Sequence, residues 1–408
     1  MATGSFRRRG CKCPPERKRC TCGAKWYYRY DITDPATGKR KQKEIGGFRT
    51  REEAEEAAKR IQYELQTGTY IEEKDITFEQ FAKEWLEGYK NSGKVKVSTI
   101  RLRDFAVKCL TSYFGKMQLK NITRKQYQDM LNDLFRLGRS NETITSYHSV
   151  GKMIFRKAIE LELIKKDPTE FVELPKRQVT VEELEQNIEL PKYLEKEELA
   201  IFLETARDHC LDARDYPLFL TMAYTGMRVG EICALKWSDI DFEEQTISIV
   251  RTIYNPDSKI RNYKLLPPKT KGSRRVIDVD KLVLRELENY KKYQNEIRMK
   301  YRDIYYDQDF IFAEINRKNA GYPMHTRLVR DRMKRLLKIA ELNPNLTPHS
   351  LRHTHTSLLA EAGVSLEQIM QRLGHTNDLT TKQIYLHVTK PKKKEASEKF
   401  AALMKNIK

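Results

Sequence analysis

The sequence predicts a multidomain protein that is mainly α-helical and carries small β-sheets. A chain of 408 residues is too long for one ordinary core, so two or three domains are expected. Hydrophobic residues make up 39% of the chain, which is enough for packed cores and excludes a disordered protein. Helix-start signals recur along the chain, whereas strand-like composition occupies short stretches only. We therefore expect an N-terminal three-stranded sheet plus helix, a helical domain, and a mixed α/β domain.

The charge of the chain is strongly basic, with a formal net charge of +20. Lys and Arg occur along the whole length, which favours a polyanion, above all nucleic acid, held across several surfaces. A basic protein with merely solvated faces is the alternative. No run approaches the roughly 18–20 apolar residues of a membrane span. The start MATGSFRRRG has no apolar core of a secretory signal. We expect a cytoplasmic protein with no membrane partner, associated with the nucleoid when bound to DNA.

Residues 1–68 are predicted to form the small sheet-plus-helix module. Residues 25–32 (KWYYRYDI) and 39–45 (KRKQKEI) have strand composition, and a turn containing Pro and Gly separates them. A helix begins at Thr50, with Glu53 completing a capping box. The module has little core of its own, and its basic, aromatic strand face suits binding in a DNA groove. A small structural cap is the alternative.

Four cysteines lie within twelve residues, in the stretch CKCPPERKRCTC: Cys11, Cys13, Cys20 and Cys22. In a cytosolic protein such clustering favours metal over disulfides. Four thiolates would close a tetrahedral Zn²⁺ site, with PPERKR as the loop between two ligand pairs. The C-x-C spacing is tighter than the usual zinc knuckle, and a reactive basic tail without metal is the alternative.

Residues 76–175 have the pattern of a domain of four or five helices. Thr77 opens the first helix with a capping box, and Ser98 is placed to cap the second. Thr123 opens the third, and residues 142–162 form the fourth. Basic residues crowd the start of this bundle, where they would hold phosphates or merely be solvated.

Residues 176–190 are polar and charged without an apolar face, which predicts an inter-domain linker. Residues 191–390 then form the mixed α/β domain. It begins with helical patterns and reaches the stretch YTGMRVGEICALKW. There Gly226 and Gly230 flank Arg228, so the arginine is expected in or beside a tight turn between helices.

Three stretches of strand composition follow and are expected to pair in one three-stranded sheet: 246–253, 263–267 and 274–279. The turn between the last two has the sequence PKTKGS and contains Lys269 and Lys271.

The stretch from Thr347 onwards carries the most distinctive pattern. Thr347 caps a helix with Pro348 at its first position. His349 and Arg352 are then three residues apart and lie on one face at the beginning of this helix. There the free N–H groups and the helix dipole favour an anion. An arginine fork beside an imidazole is well suited to hold a phosphate.

The second half of that stretch adds a histidine and a tyrosine. Ser365 begins a short helix that Gly374 ends, which presents His375, and Tyr385 follows ten residues later. A single histidine or tyrosine is more often structural than functional. The order of the motifs along the chain is what carries information.

That order resembles the tyrosine recombinase (phage-type integrase) family. The matching pieces are TGMRVGEICAL, PKTKGSRRVI, TPHSLRHTHTSLLAEAG, QRLGH and TTKQIYLHV, which together span residues 190–390. Residues 76–175 look like the family's helical core-binding (SAM-like) domain, and residues 1–68 are similar to its arm-type DNA-binding domain. The cysteine cluster is an addition that only some members would share.

The resemblance implies that Tyr385 is the nucleophile and that Arg228 and Arg352 clamp the scissile phosphate. The chemistry agrees, because a tyrosine with a pKa of about 10 needs nearby cations to stabilise its phenolate and the developing charge. Two arginines supply charge that never titrates. No metal is needed for this, and no carboxylate cluster suits Mg²⁺, so we expect no catalytic cofactor.

For proton transfer the resemblance implies Lys269 as the general acid to the leaving 5′ oxygen, with Lys271 as the alternative in the same turn. His349 and His375 assist proton transfer and phosphate binding. His353 and His355 lie beside the H-x-x-R motif without matching it.

The resulting prediction is a site-specific DNA recombinase that integrates and excises a mobile element, a prophage or an integrative conjugative element, through a 3′-phosphotyrosyl link. Expected partners are double-stranded DNA at core and arm-type attachment sites, an excisionase and a host DNA-bending protein. The family implies a homo-tetramer on a Holliday junction, with the tail at residues 391–408 docked on a neighbouring protomer.

Three other readings share the fold or the chemistry. One is a Xer-like chromosome resolvase, and another is a type IB topoisomerase; the basic N-terminal module argues against both. A non-catalytic DNA-binding regulator of the same fold is the third, and the presence of all six active positions argues against it.

Overall fold

The fold is taken from a computed structural model of the chain. The structure describes residues 4–11, 22–33, 38–67, 70, 75–93, 95–176, 193–255, 259–268, 271–374, 381–382 and 385. Cys13, Cys20, Lys269, His375, the predicted linker beyond Lys176, and the tail at 391–408 lie outside those residues. The chain divides into two compact units, Met1–Gln178 and Val179–Lys408.

The first unit begins with an antiparallel sheet in the order β1-β2-β3: β1 (Ser5–Arg8), β2 (Trp26–Thr33) and β3 (Arg40–Phe48). Helix α1 (Arg51–Gln66) packs on one face of it. Alternate residues of β2 point at α1, so Tyr28, Tyr30 and Ile32 are buried against it, as the two-residue period of a strand requires. The sheet-plus-helix prediction is confirmed, with β1 as a strand that the sequence patterns did not locate.

The start of α1 differs from the predicted capping box in one detail. The hydroxyl of Thr50 accepts a hydrogen bond from the backbone N–H of Glu53 at 3.2 Å. The Glu53 carboxylate accepts from the N–H of Arg49, at 2.9 Å, and not from that of Thr50. The cap therefore still satisfies an orphan N–H group inside the helix and one before it.

Among the described residues of the first unit, four helices follow: α2 (Phe78–Asn91), α3 (Val97–Phe114), α4 (Arg124–Arg136) and α5 (Asn141–Glu160). Reciprocal capping boxes at Thr77 and Thr123 open α2 and α4, as predicted. The predicted cap at Ser98 is wrong, because Lys96 is the N-cap of α3 and Ser98 already lies inside the helix. Buried aromatic side chains, among them Phe78 and Tyr127, fill the centre of the bundle.

The second unit is built around a buried helix. Its helices are α6 (Lys196–Asp208), α7 (Asp215–Thr225), α8 (Val229–Ile232), α9 (Lys281–Lys300), α10 (Thr326–Ile339), α11 (Pro348–Glu361) and α12 (Leu366–Leu373). Consecutive residues of α7, including Phe219, Leu220 and Met222, are buried, as in a helix covered on all sides. Helices α6, α9 and α11 pack against it.

The strands of the second unit form two small sheets. One has the order β4-β5-β8: β4 (Ile240–Asp241), β5 (Thr246–Ile249) and β8 (Arg275–Asp278). The other pairs β6 (Thr252–Tyr254) with β7 (Lys264–Leu266). The predicted single sheet of 246–253, 263–267 and 274–279 is wrong. The first stretch breaks after Ile249, and Arg251 turns away to form a salt bridge with Asp239 at 2.8 Å.

Candidate functional site

Arg228 lies in a tight turn between two helices, as predicted. Helix α7 ends at Gly226, whose φ of 62° is left-handed. A Cβ at Gly226 would lie 2.7 Å from the side chain of Leu373 and 2.8 Å from that of His355. Both the backbone conformation and the close packing therefore require glycine here. Because the chain turns here, Arg228 occupies the N-cap position of α8.

A buried carboxylate that the sequence patterns missed orients Arg228. Glu231 accepts from Nη1 of Arg228 at 2.8 Å and from its backbone N–H at 3.0 Å. Nη2 of Arg275 donates to the same carboxylate at 3.0 Å. Burial raises the pKa of Glu231, but the two guanidiniums outweigh burial and hold this pKa below its usual value. An acidic residue three positions after Arg228, within an otherwise apolar stretch, was the available signal.

Arg352 is the most deeply placed of the predicted site residues. Its side chain is buried, with 1% of its surface exposed. Nη1 donates to the carbonyl of Gly226 at 2.7 Å, and Nη2 donates to the carbonyl of Leu373 at 2.6 Å. Arg352 therefore joins three elements: its own helix α11, the Arg228 turn, and the end of α12.

His349 stands at the exposed beginning of α11. Pro348 is the first residue of this helix, and the N–H of Thr347 donates to Oγ of Ser350 at 3.1 Å. His349 is exposed, and its ring lies 4.7 Å from the ring of His353 in an edge-to-face arrangement. The helix N-terminus and an exposed imidazole therefore lie at the same end of α11 as the buried Arg352.

The end of α12 lies against the turn that carries the two candidate lysines. Gly374 ends the helix with a φ of 71°. A Cβ at Gly374 would lie 2.8 Å from the carbonyl oxygen of Gly272 and 3.0 Å from Cα of Ser273. The turn before β8 therefore packs directly on the residue that precedes His375. Lys269 and His375 themselves lie outside the described residues.

Tyr385 packs on the same short helix. It is half-buried and lies against a small apolar cluster of Ala360, Ile369 and Leu373. Leu373 is also the residue whose carbonyl accepts from Arg352. The structure thus brings the elements of Arg228, Arg352 and Tyr385 together around one helix end.

His355, a neighbour of the H-x-x-R motif, is buried inside this arrangement. Its Nδ1 lies 2.9 Å from the carbonyl oxygen of Ala223, and Nε of Arg372 donates to its Nε2 at 3.1 Å. These partners define one neutral tautomer, with the proton on Nδ1. Burial, together with the nearby charges of Arg372 and Arg352, lowers the pKa of His355 to about 3.

Of the four N-terminal cysteines, the structure describes Cys11 and Cys22. Their sulfur atoms lie 3.6 Å apart. That is far beyond the roughly 2.05 Å of a disulfide bond. Four thiolates about 2.3 Å from a tetrahedral Zn²⁺ would place their sulfurs about 3.8 Å apart, so this pair fits one edge of such a site. Within the described residues no group of three or more His, Cys, Asp or Glu side chains is arranged to hold a metal ion.

Known family patterns cover most of the chain. Residues 192–392 match the phage integrase family, residues 16–65 match an arm DNA-binding domain, and residues 77–135 match the N-terminal SAM-like domain of phage integrases. In the described part of the chain, no helix is long and apolar enough to cross a membrane.

Individual proteins agree with these matches. The integrase of Staphylococcus phage L54a is 29% identical over 357 residues, which cover 85% of this chain and 98% of that protein. The prophage ps2 probable integrase of Lactococcus lactis subsp. lactis (strain IL1403) is 32% identical over 323 residues, which cover 76% of this chain and 79% of that protein.

Two solved structures share the fold. The Tn1549 transposon integrase in complex with transposon right end DNA matches with a TM-score of 0.63 at 22% identity, covering 80% of this chain and 100% of that one. A lambda integrase tetramer bound to a Holliday junction matches with a TM-score of 0.55 at 20% identity, covering 88% of this chain and 92% of that one.

The chain belongs to the phage integrase family. It is a tyrosine-type site-specific recombinase with the N-terminal arm-binding module of integrases, and its catalysis needs no cofactor.

Proposed function

We propose that the protein cleaves and rejoins double-stranded DNA with Tyr385 as its nucleophile, and so integrates and excises a mobile element. The observation that carries the proposal is the pair of hydrogen bonds from Arg352, at 2.7 and 2.6 Å, to the carbonyls of Gly226 and Leu373. They tie the Arg228 turn to the helix on which Tyr385 packs.

The phenolic oxygen of Tyr385 attacks the phosphorus and forms a bond to the 3′ phosphate, while the bond from phosphorus to the 5′ oxygen breaks. Arg228 and Arg352 bind the phosphate and stabilise the charge that develops on it. Lys269, or Lys271 from the same turn, gives a proton to the leaving 5′ oxygen. The covalent link conserves the bond energy, so a 5′ hydroxyl of another strand reverses the step without ATP.

His349 and His375 complete the site in this proposal. The exposed imidazole of His349, at the start of α11, donates to a phosphate oxygen, and the helix N-terminus at the same place also favours negative charge. For His375 we propose a role in proton transfer and phosphate binding; the residue before it, Gly374, packs on the turn that carries the two candidate lysines.

The domain division supports a two-site mode of DNA binding. We assign residues 1–68 to arm-type sites, 76–175 to the core site, 191–390 to catalysis, and 391–408 to docking on a neighbouring protomer. On the first sheet, Tyr27 and Arg29 of β2 face away from the buried Tyr28 and Tyr30, and the guanidinium of Arg9 lies 5.5 Å from the centroid of the Tyr27 ring. Such a basic, aromatic face suits a DNA groove.

We further propose that the protein acts in the cytoplasm as a homo-tetramer that passes through a Holliday junction. The similar lambda integrase was seen as a tetramer on such a junction. An excisionase and a host DNA-bending protein are the partners that would set the direction of the reaction. A chromosome resolvase would share the chemistry, but the match of residues 16–65 to an arm DNA-binding domain favours the integrase.

Replacement of the nucleophile tests this function. The wild-type protein and Tyr385→Phe are incubated with DNA, covalent adducts are captured under denaturing conditions, and the trapped DNA ends are sequenced. We expect a 3′-phosphotyrosyl adduct with the wild type at a defined core sequence, and none with Tyr385→Phe, which still binds DNA. An adduct formed by Tyr385→Phe would assign the nucleophile to another residue. Binding without any wild-type adduct would favour the non-catalytic regulator.

We also propose that Cys11, Cys13, Cys20 and Cys22 bind one structural Zn²⁺, supported by the 3.6 Å separation of the sulfurs of Cys11 and Cys22. The arm module buries few apolar side chains, so a bound metal would add to its stability. Elemental analysis should find one zinc per chain in the wild type and in a Cys210→Ser control, and none in a Cys20→Ser, Cys22→Ser variant. Equal, negligible zinc in all three would refute the site.

A further inference from the structure

The last turn of α12 is held by an arginine whose acceptors, within the part of the chain that the structure describes, are all neutral. Arg372 is half-buried, and Nε donates to Nε2 of His355 at 3.1 Å. Its Nη2 donates to the carbonyls of Tyr224 and Asp278, at 3.1 and 3.0 Å. The carbonyl of Arg372 itself accepts from Nε of Arg275 at 2.7 Å. One side chain therefore connects the end of α12 to α7, α11 and β8.

The partner on α11 is suited to this task in one protonation state only. His355 donates from Nδ1 to the carbonyl of Ala223, which leaves the lone pair of Nε2 to accept from Arg372. A protonated imidazole would present an N–H group to another N–H group and would add a positive charge next to Arg372 and Arg352. Burial and these two cations keep His355 neutral.

A neutral acceptor has a consequence that a carboxylate would not have. A carboxylate at position 355 would also hold Arg372, but its negative charge would cancel part of the positive field next to Arg352. The imidazole fixes the direction of the guanidinium and leaves the positive charge in place. The guanidinium of Arg372 is thus held in one direction while the positive charge beside Arg352 is kept. A fixed positive charge is what stabilisation of a phosphorane-like transition state requires.

We propose that His355 and Arg372 are a positioning pair that fixes the C-terminal end of α12, and with it Gly374 and the surface on which Tyr385 packs, relative to the Arg228 turn. The inference rests on the proposed function, because it concerns how the nucleophile is aligned with the phosphate clamp. Neither residue touches the phosphate in this proposal. A displacement of about 1 Å at a reacting group costs about 100-fold in rate, so loss of the pair should appear in the cleavage step.

The test uses the full-length protein and a nicked form of the core site recovered by the adduct sequencing described above. The nick lets the cleaved strand diffuse away, so the rate constant of covalent complex formation is measured in a single turnover at saturating protein. The dissociation constant for the same DNA is measured separately, with Tyr385→Phe in the background. The thermal midpoint of each variant is recorded alongside.

His355→Phe keeps the ring volume and removes the acceptor. We expect cleavage to slow about 10-fold to 100-fold, with the dissociation constant changed by less than about twofold. His355→Gln restores an acceptor near the position of Nε2, so it should recover most of the rate. The double variant His355→Phe, Arg372→Leu removes the pair together with the hydrogen bonds from Arg372 to the carbonyls of Tyr224 and Asp278, so it should cleave no faster than His355→Phe alone.

A role in stability alone predicts a different pattern. Leu287→Val, a core variant in α9, serves as the control for a lowered thermal midpoint, and it should cleave at the wild-type rate below that midpoint. If His355→Phe cleaves like the wild type, if His355→Gln recovers no rate, or if the double variant recovers the wild-type rate, the positioning pair is refuted. A wild-type protein that forms no adduct would refute the proposed function, and this inference with it.

Discussion

Two buried clusters of arginines in the second unit differ in how their charge is balanced. In the first, which we call the closed cluster, Arg214 and Arg332 bind three acids: Asp212, Asp215 and Glu314. In the second, at the candidate site, Arg228 and Arg275 share the carboxylate of Glu231. The carbonyl of Arg372 accepts from Arg275, and among the described residues the Arg372 side chain donates to neutral acceptors only.

This difference separates a structural role from a functional one. A buried cation is costly unless an anion compensates it, and the closed cluster is compensated within the protein. Burial raises the pKa of Asp212, but Arg214 and Arg332 outweigh burial and lower it far below its usual value. At the candidate site, two guanidiniums for one carboxylate leave room for an external anion, and a DNA phosphate supplies it.

Breaking the closed cluster should have the largest effect on stability. Arg332→Leu removes the buried cation that pairs with Asp215 and one of the two cations that pair with Asp212. This loss should lower the free energy of unfolding by about 3–5 kcal/mol. Urea unfolding measures the loss. The rate of covalent complex formation, measured where the variant is still folded, should stay within about twofold of the wild type. A selective loss of cleavage without a loss of stability would give the closed cluster a catalytic role.

Removing a cation from the candidate site should do the reverse. Arg228 has 31% of its side chain exposed, so Arg228→Ala should leave the urea midpoint nearly unchanged. Loss of one group that stabilises the charge of the transition state should slow cleavage about 100-fold to 1,000-fold. Arg251→Ala, which removes a similarly half-exposed arginine paired with Asp239, is the matched control and should cleave normally. Equal slowing by both variants would mean that net positive charge, and not the clamp, is responsible.

The same contrast shows how far the sequence could lead. The capping boxes at Thr77 and Thr123 could be predicted from the sequence, because the two residues that form each box lie within four positions of one another. The sheet pairing was not, since β5 pairs with β8 and skips β6 and β7, a choice made by tertiary packing. Arg228 and Arg352 were found through their motifs.

The residues that hold the elements of the candidate site in place were harder to find. Glu231 is three positions from Arg228, but its second partner, Arg275, is 44 positions away. The pairing of His355 with Arg372 spans 17 positions and two helices. Such contacts depend on how helices pack, and no local spacing rule encodes them.

The pH dependence of stability should show the smallest of the expected effects. The pKa of His355 is lowered to about 3 in the folded protein, against about 6.5 in an unfolded chain. The unfolded state therefore binds more protons below pH 6.5, and the stabilising contribution of neutral His355 is lost progressively as pH falls from about 6.5 towards 3. Between pH 7.5 and 5 this loss is about 2 kcal/mol. Asp212 of the closed cluster stays ionised over that interval, because burial, which would raise its pKa, is outweighed by its hydrogen bonds with Arg214 and Arg332, which hold that pKa far below its usual value. Urea midpoints of the wild type and of His355→Gln, compared at pH 7.5 and 5, isolate the contribution of this one histidine from the others in the chain.

We expect the wild type to lose more stability than His355→Gln on acidification. An equal loss in both proteins would mean that His355 is already protonated when folded, which is incompatible with its acceptance of a hydrogen bond from Arg372.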